Sequence, residues 1–452
     1  MRQRWRPRIA SGARGWLWQA TLLLTVLVVA ACAGGKSVTH PTATGAAGTQ
    51  TPNNAPGVPA AVRAALAAQE HEALMQQTAA YDVSQMSLDE QIGQMFLIET
   101  YYKTYTPDID NMVVGMHAGA LIIYGKNMQD PAQLQAYIAA IQAHVHIPLL
   151  VTMDEEGGLV DRLGFLHFDQ PLPAAQDVGA SGNAQNAYNE GMQAAQEMTQ
   201  LGINTDLAPV ADVRGSAGSI ETTRLYSSDP TVVTQMAGAF LNGLQSHGVA
   251  GTLKHWPGIG GVILDPHKAL PTITDSQAQL ESTNFATFRQ LVAENPGMIM
   301  VTHVLVNAID PNMPATLSPK LVNGVLRGEL GYQGVVMTDS LYMQGIALRY
   351  TLPQAGVLAI EAGDDLLEGA FDTNSMSGMI AAIHAAIDAG QITPARIAQS
   401  AQRILALKIR FGLLPIRDAR LLHNGSGVTG YADYAPFASA IDGDLPRMLW
   451  MA

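Results

Sequence analysis

From Met86 onward the chain alternates short, almost wholly apolar runs with longer segments whose apolar residues recur at helical spacing. The short runs are MFLIE (95–99), GALIIY (119–124), PLLVTMD (148–154), INTDLAP (203–209), GTLKHWPG (251–258), GMIMVTHV (297–304), GVVMTDS (334–340) and AGDDLLE (362–368). Runs that do not alternate with polar residues suit strands buried on both faces, as in a parallel sheet. Helices are expected at 131–145, 183–201, 230–247, 275–294, 318–329, 374–389 and 394–411, the last opening on Thr393-Pro394, a cap followed by a first-turn proline. Eight strands with helices between them predict an α/β fold: a closed (β/α)8 barrel of the TIM type forming a single domain.

The ends of the chain depart from this alternation. Arg2, Arg4, Arg6, Arg8 and Arg14 precede an apolar run from Trp16 to Ala31, which closes on Val29-Ala30-Ala31-Cys32. That order reads as a secretory signal with a lipoprotein cleavage box. A transmembrane anchor is the competing reading, but the run is short for a span, and Cys32 is the only cysteine in the chain. Lipidation at Cys32 is expected, placing the protein on the extracytoplasmic face of the cell membrane, lipid-anchored and held together by packing without disulfides. Residues 1–31 are then a leader and 32–59, rich in Gly, Thr, Ala, Pro and Asn, a flexible tether. A helical lead-in occupies 60–85, the barrel 86–412, and a tail without clear periodicity 413–452.

Charge narrows the partners. The whole chain carries a formal −13; without residues 1–31 it has 20 basic against 38 acidic residues, or −18. Such a surface repels phosphate backbones, so nucleic acid is excluded as a partner, and the acyl chain, not a basic patch, must hold the membrane.

Polar residues interrupt the apolar runs at their carboxyl ends: Asp154, Asp206, Lys254 with His255, His303 and Asp339. In a parallel barrel these ends share one face, where barrel active sites are assembled. Asp339 follows directly on Val335-Val336-Met337-Thr338 and would be held rigidly at a pocket floor. There it suits a nucleophile toward a sugar's anomeric carbon, with a helix cap as the competing role. The glycine-rich segment 257–262 leads to Asp265-Pro266-His267, in a loop able to move. A carboxylate two residues before a histidine can fix the imidazole's tautomer for proton transfer. His255 is an equal candidate on these grounds, and solvation is the bland alternative for His267. In TMDEEGGLVDRLG (152–164), Asp154 and Arg162 supply an acceptor and a forked donor able to grip sugar hydroxyls, although Arg162 could equally form a surface salt bridge.

In order, the motifs GQMFLIE, LLVTMDEEGGLVDRL, GINTDLAPVADV, RLYSSDP, GTLKHWPG, Asp265-x-His267, PATLSPKLV, GVVMTDSLYM and EAGDDLLE resemble the catalytic barrel of glycoside hydrolase family 3, within it the bacterial β-N-acetylglucosaminidase type. The resemblance covers about residues 86–412. It implies Asp339 as nucleophile, His267 as acid/base and Asp265 as its dyad partner. It implies Asp154, Arg162, Arg224, Lys254 and His255 as contacts to the terminal N-acetylglucosamine, with no metal and no organic cofactor. The implied enzyme is a retaining exo-β-N-acetylglucosaminidase, working as a monomer on cell-wall peptidoglycan fragments or related glycans, with inorganic phosphate as an acceptor that could compete with water. Ile259, Glu155 and Pro266 depart from the family's usual histidine, glutamine and serine, which leaves the presentation of the dyad open.

Three other readings stand beside this one. A β-glucosidase or broad β-hexosaminidase of the same family could take its acid/base from Glu155 or Glu156. A sugar-binding lipoprotein could keep the pocket without turnover. A metal-dependent barrel hydrolase could use His255, His267 and His303.

Overall fold

A computed structural model of the chain describes residues 60–166, 170–215 and 218–417. The leader, the lipidation candidate Cys32, the tether and most of the tail lie outside the described residues. Each of the eight apolar runs meets a strand, six containing it and the fifth and eighth overlapping it: β1 (Phe96–Glu99), β2 (Ala120–Ile122), β3 (Leu150–Met153), β4 (Thr205–Asp206), β5 (Ala250–Trp256), β6 (Met298–Val301), β7 (Val335–Thr338) and β8 (Leu367–Ala370). All are parallel and pair in the order β8-β1-β2-β3-β4-β5-β6-β7. A parallel bridge between Met337 on β7 and Leu366, just before β8, closes the ring, giving the expected (β/α)8 barrel.

Every residue of these strands is buried, because helices cover the outer face and side chains fill the inside. The strands are shorter than the runs that predicted them. At Asp154, His303 and Asp339 the chain has left the ladder, whereas Asp206, Lys254 and His255 still belong to β4 and β5.

The helices follow the apolar spacing with two kinds of departure. The expected helix over 275–294 is broken at Thr283 into Gln277–Ser282 and Asn284–Val292, and 320–329 is wound in i→i+5 turns, with Gly324 N–H bonded to Pro319 O at 2.9 Å. The helix Leu352–Ala362 was not anticipated. Its signals, Thr351 as cap, Pro353 in the first turn and Gly363 at its end, were present but lay against the eighth apolar run.

The lead-in helix Ala60–Gln85 packs on Pro394–Arg410, burying Met75, Ala79 and Val83 against Ala401, Leu405 and Ile409. Full burial of such side chains contributes roughly 1.5–3 kcal/mol each, so this helix belongs to the barrel's packing. Leu414 joins the same cluster, and Arg417 pairs with Asp82. Below the barrel, the fully buried Lys408 donates from Nζ to Gln94 Oε1 at 2.7 Å, and burial pulls its ammonium down to about 7.

Candidate active site

Asp339 is the first residue beyond β7, and its N–H is tied to Val301 O at 2.9 Å, so the backbone that carries it is an extension of the barrel. The Thr302 hydroxyl donates to Oδ2 and the Ser340 N–H to Oδ1, both at 2.9 Å. Burial alone would raise this carboxyl; His303, His255 and the two donors outweigh it and hold the group below its ordinary value. The outcome is a fixed anion with spare lone pairs, the state a nucleophile requires.

His303 supports it from behind. The ring is fully buried, with Nδ1 2.8 Å from the Thr316 hydroxyl and Nε2 2.8 Å from Ser340 O. Both nitrogens are used by the protein.

Across the mouth, between β3 and β5, lies a fully connected ionic corner. Lys254 Nζ sits 2.6 Å from Asp154 Oδ1 and 2.5 Å from Glu156 Oε1. Arg224 grips Glu156 in a fork, Nε to Oε2 at 2.6 Å and a terminal nitrogen to Oε1 at 2.8 Å. Burial opposes ionisation of Glu156, but Lys254 and Arg224 overwhelm it, and its carboxyl is held far below the usual range. The same pairing holds Lys254 and Arg224 protonated against burial. Asp154 keeps part of its carboxylate open to the pocket, with 18% side-chain exposure, so it can bind a ligand hydroxyl while anchored by the lysine.

His255 faces this corner, its Nε2 3.5 Å from an Arg224 nitrogen. β5 shifts register between Leu253 and Trp256, and the Lys254–His255 peptide there is cis. Behind the ring, Asp212 Oδ2 accepts from Nδ1 at 2.7 Å, and Glu221 lies 3.3 Å from the same nitrogen. Burial raises both acids, Asp212 to about 6 and Glu221 to about 8, the latter pushed further by Asp212. Burial and the flanking cations depress His255 itself. Asp212, Glu221 and His255 bring their ligand atoms together as a cation site would. The place is already filled: Asp212 takes the His255 ring and the Ile259 N–H, and Arg224 stands 3.3 Å from Glu221. Among the described residues, His255, His267 and His303 form no common ligand group, so the metal-hydrolase alternative finds no site in them.

The Asp265–His267 pair forms as the spacing predicted. Asp265 Oδ1 accepts both the His267 N–H and Nδ1 at 2.9 Å, so Nδ1 carries the proton toward Asp265 and Nε2 is left outward. Slight burial would raise Asp265, but the His267 backbone, its ring and Lys268 hold it below its ordinary value. The imidazole is 71% exposed. Two bonds tie the turn to the segment after Asp339: Gly345 N–H to Pro266 O at 3.1 Å and Gln344 N–H to His267 O at 3.4 Å.

The glycines expected to let this loop move instead pin its first half. Gly260 O accepts the Gly215 N–H at 2.9 Å, Val262 O accepts Ile220 N–H at 3.1 Å, and a Cβ at Gly260 would lie 2.1 Å from Val213 O. Beyond them the large apolar side chains of Ile263 and Leu264 are exposed. Ile259 is buried and gives its N–H to Asp212.

A chain of this fold, with an ionised acid after β7 and a histidine dyad on the β5 loop, invites comparison with known proteins. Residues 87–407 match the family model described as the glycosyl hydrolase family 3 N terminal domain. This chain belongs to glycosyl hydrolase family 3. It is 36% identical over 254 residues to a beta-hexosaminidase of Alkalilimnicola ehrlichii, covering 55% of this chain and 72% of that one. Among solved structures it resembles a family 3 beta-N-acetylglucosaminidase from Paenibacillus sp. at 33% identity and TM-score 0.70, over 74% of this chain and 65% of that one. It also resembles a beta-N-acetylhexosaminidase from Beutenbergia cavernae at 28% identity and TM-score 0.66, over 72% and 98%. The chain is thus a glycoside hydrolase with β-hexosaminidase relatives.

In this family 3 hydrolase the sequence-predicted residues fall into three groups. Asp339, Lys254, His255, Asp154 and Arg224 converge directly. Asp265 and His267 form their dyad on the overlying loop. Arg162 makes no ion pair among the described residues, and its Nε is buried without a partner, so the salt bridge that competed with a ligand role is not formed. The acids proposed as alternative proton donors are unsuited to it. Glu156 is locked between two cations, and the wholly buried Glu155 accepts the N–H groups of Arg162 and Leu163 at 2.7 and 2.9 Å, clamping the loop. Asp212, Glu221 and Thr302 were missed. Only Thr302 was legible, one place before the flagged His303; the two acids lie in irregular connections, where no periodicity assigns a direction.

Proposed function

We propose that this chain is a retaining exo-β-N-acetylglucosaminidase. The observation that carries the reading is the ionised, immobilised Asp339 facing a corner of Asp154, Lys254, Arg224 and His255, under a loop that presents His267. In the first half-reaction the Asp339 carboxylate attacks C1 of the terminal sugar while His267 passes a proton to the departing oxygen, giving a covalent glycosyl-enzyme. Water, losing its proton to His267, then displaces Asp339 and restores the original anomeric configuration. Asp265 orients the imidazole for both transfers. The Lys254–Glu156–Arg224 network holds Asp154 and His255 rigid, so that glycon hydroxyls meet preorganised partners.

The names of the relatives support hexosaminide as the substrate class. The expected leader and lipidation at Cys32 support cell-wall fragments outside the membrane as its source, with the protein acting as an anchored monomer. No residue of the pocket has to come from a second chain. Phosphate as an alternative acceptor remains part of the reading, tested by sugar 1-phosphate formation in phosphate buffer.

A 2-fluoro mechanism-based glycoside followed by peptide mapping tests the centre of the proposal. Label on Asp339 and a retained anomer by NMR are expected, and label elsewhere or an inverted anomer overturns it. Asp339→Ala should lose about a thousandfold or more in kcat on nitrophenyl N-acetylglucosaminide while remaining folded. His267→Ala should lose roughly 10²–10⁴-fold on alkyl or sugar aglycones and far less on dinitrophenyl, since a good leaving group needs no proton. Equal losses on both would remove His267 from the acid role. Glucoside and N-acetylgalactosaminide in the same panel separate the proposed specificity from a β-glucosidase or broad hexosaminidase.

A further inference from the structure

One acid on the barrel mouth is used by none of the steps above. Glu368 stands on β8, between β7, which Asp339 follows, and β1, which carries Glu99, and is 3% exposed. The Tyr124 hydroxyl, just beyond β2, donates to Glu368 Oε1 at 2.9 Å. The strand N–H of Glu368 is held by the Thr338 hydroxyl at 3.0 Å, one residue before the nucleophile, so its backbone is fixed to the same platform. Neighbouring acids surround it: Asp339 from just beyond β7, Asp154 from beyond β3 and Glu99 from β1. Lys126 is 3.5 Å from Glu99 and lies over the Tyr101 ring at 3.6 Å. It is spent on Glu99 and not on Glu368.

We propose that Glu368, oriented by Tyr124, is a specificity-determining residue of the sugar site: a neutral carboxylic acid that donates a hydrogen bond to a hydroxyl of the glycon. The inference rests on the sugar pocket being centred on Asp339, as set out above. The physical reason is charge crowding. Three acids face the group in a buried corner, no cation pairs with it among the described residues, and a further negative charge there would be uncompensated. Burial and the Asp339, Asp154 and Glu99 carboxylates all push its ionisation well above the usual range. Tyr124, raised above all by burial, keeps its proton and donates a hydrogen bond to Oε1. A protonated carboxyl with one oxygen already satisfied has its own O–H left to donate, and in a pocket walled by acceptors a sugar hydroxyl is the partner that can both accept this hydrogen bond and donate one to Asp154. Ionisation of Glu368 would convert this donor into a repelling anion beside the nucleophile.

The experiment compares wild type, E368Q and E368L on dinitrophenyl N-acetylglucosaminide across pH 5–10, so that proton donation by His267 does not set the rate. E368Q keeps a neutral donor and is expected to stay within about threefold at pH 6 while its alkaline loss of kcat/KM moves up by at least one pH unit or vanishes. E368L is expected to fall about tenfold or more in kcat/KM. Among 3-, 4- and 6-deoxy glycosides, the one lacking the contacted hydroxyl should be insensitive to E368L. Three results overturn the inference: E368L within twofold of wild type, an unchanged alkaline limb in E368Q, or equal sensitivity of all three deoxy substrates. Should E368L fail to fold, the E368Q profile decides alone. If the fluorosugar labels Asp339 and Glu368 still proves silent, only this inference fails; if it labels elsewhere, the pocket itself has been misassigned.

Discussion

Two acids behind His255 show how a residue's surroundings set its chemistry. Glu221 is fully buried against Asp212, with Arg224 and the His255 ring each 3.3 Å away, and burial followed by Asp212 pushes its carboxyl to about 8. A free glutamate titrates near 4.5, so between that value and 8 the unfolded chain has lost a proton that the folded chain retains. Stability contributed by this group is therefore complete below pH 4.5 and drains away as pH rises toward 8. Glu221→Gln should flatten that decline: thermal melts should show the variant gaining on wild type steadily from pH 5 to 8.5. A constant difference across that range would mean that Glu221 is already ionised in the folded protein. By contrast, Glu156 in the same corner is driven the other way by Lys254 and Arg224, though it is equally buried. Burial alone does not decide the charge; the count of nearby cations does.

At the scale of elements, the strands deliver side chains and the helices close the floor beneath them. The helix Pro394–Arg410 carries the most costly group in that floor, Lys408, wholly buried with Gln94 as its partner and with its ammonium depressed to about 7 by burial. Below pH 7 the folded state holds a buried charge; between 7 and 10.5 the unfolded chain is protonated while the folded chain is not, so stability rises with pH. Lys408→Met, which fills similar volume without the amine, should raise the melting temperature at pH 6 and lose that advantage toward pH 10. A variant less stable than wild type at pH 6 would show that the bond to Gln94 outweighs the desolvation. The loop after β5 has its own division of labour. Gly260 has no room for a Cβ against Val213 O, and this close backbone approach fixes the first half, while the turn at 265–269 carries the dyad with the His267 ring exposed.

For the molecule as a whole, the barrel and its flanking helix Ala60–Gln85 form one packed body, with Met75, Ala79 and Val83 seated on the last helix. Whatever precedes residue 60 is therefore joined to a rigid support. If Cys32 bears the lipid, Cys32→Ala should move the protein from the membrane to the soluble fraction without changing kcat/KM on a soluble chromogenic substrate, because no residue of the barrel mouth named above lies before Glu99. Membrane retention in the variant would favour the uncleaved apolar run as the anchor.

The eight apolar runs and the acids and bases at their ends were legible because both are local. A strand buried on two faces must be apolar throughout, and a polar residue at its end has only the barrel mouth to face. Asp339, Asp154, Lys254 and His255 could thus be chosen from the chain, and the Asp265–His267 pair from its spacing. What the sequence could not contain was the partner of each group. Whether Glu156 is a proton donor or a locked anion depends on Lys254 and Arg224, 98 and 68 residues away. The same holds for the Asp212 and Glu221 support of His255 and for Glu368 facing Asp339. Ionisation is set by distances of a few ångströms between residues that only closure of the barrel brings together, so the tertiary structure alone decided which acids are charged and which keep their protons.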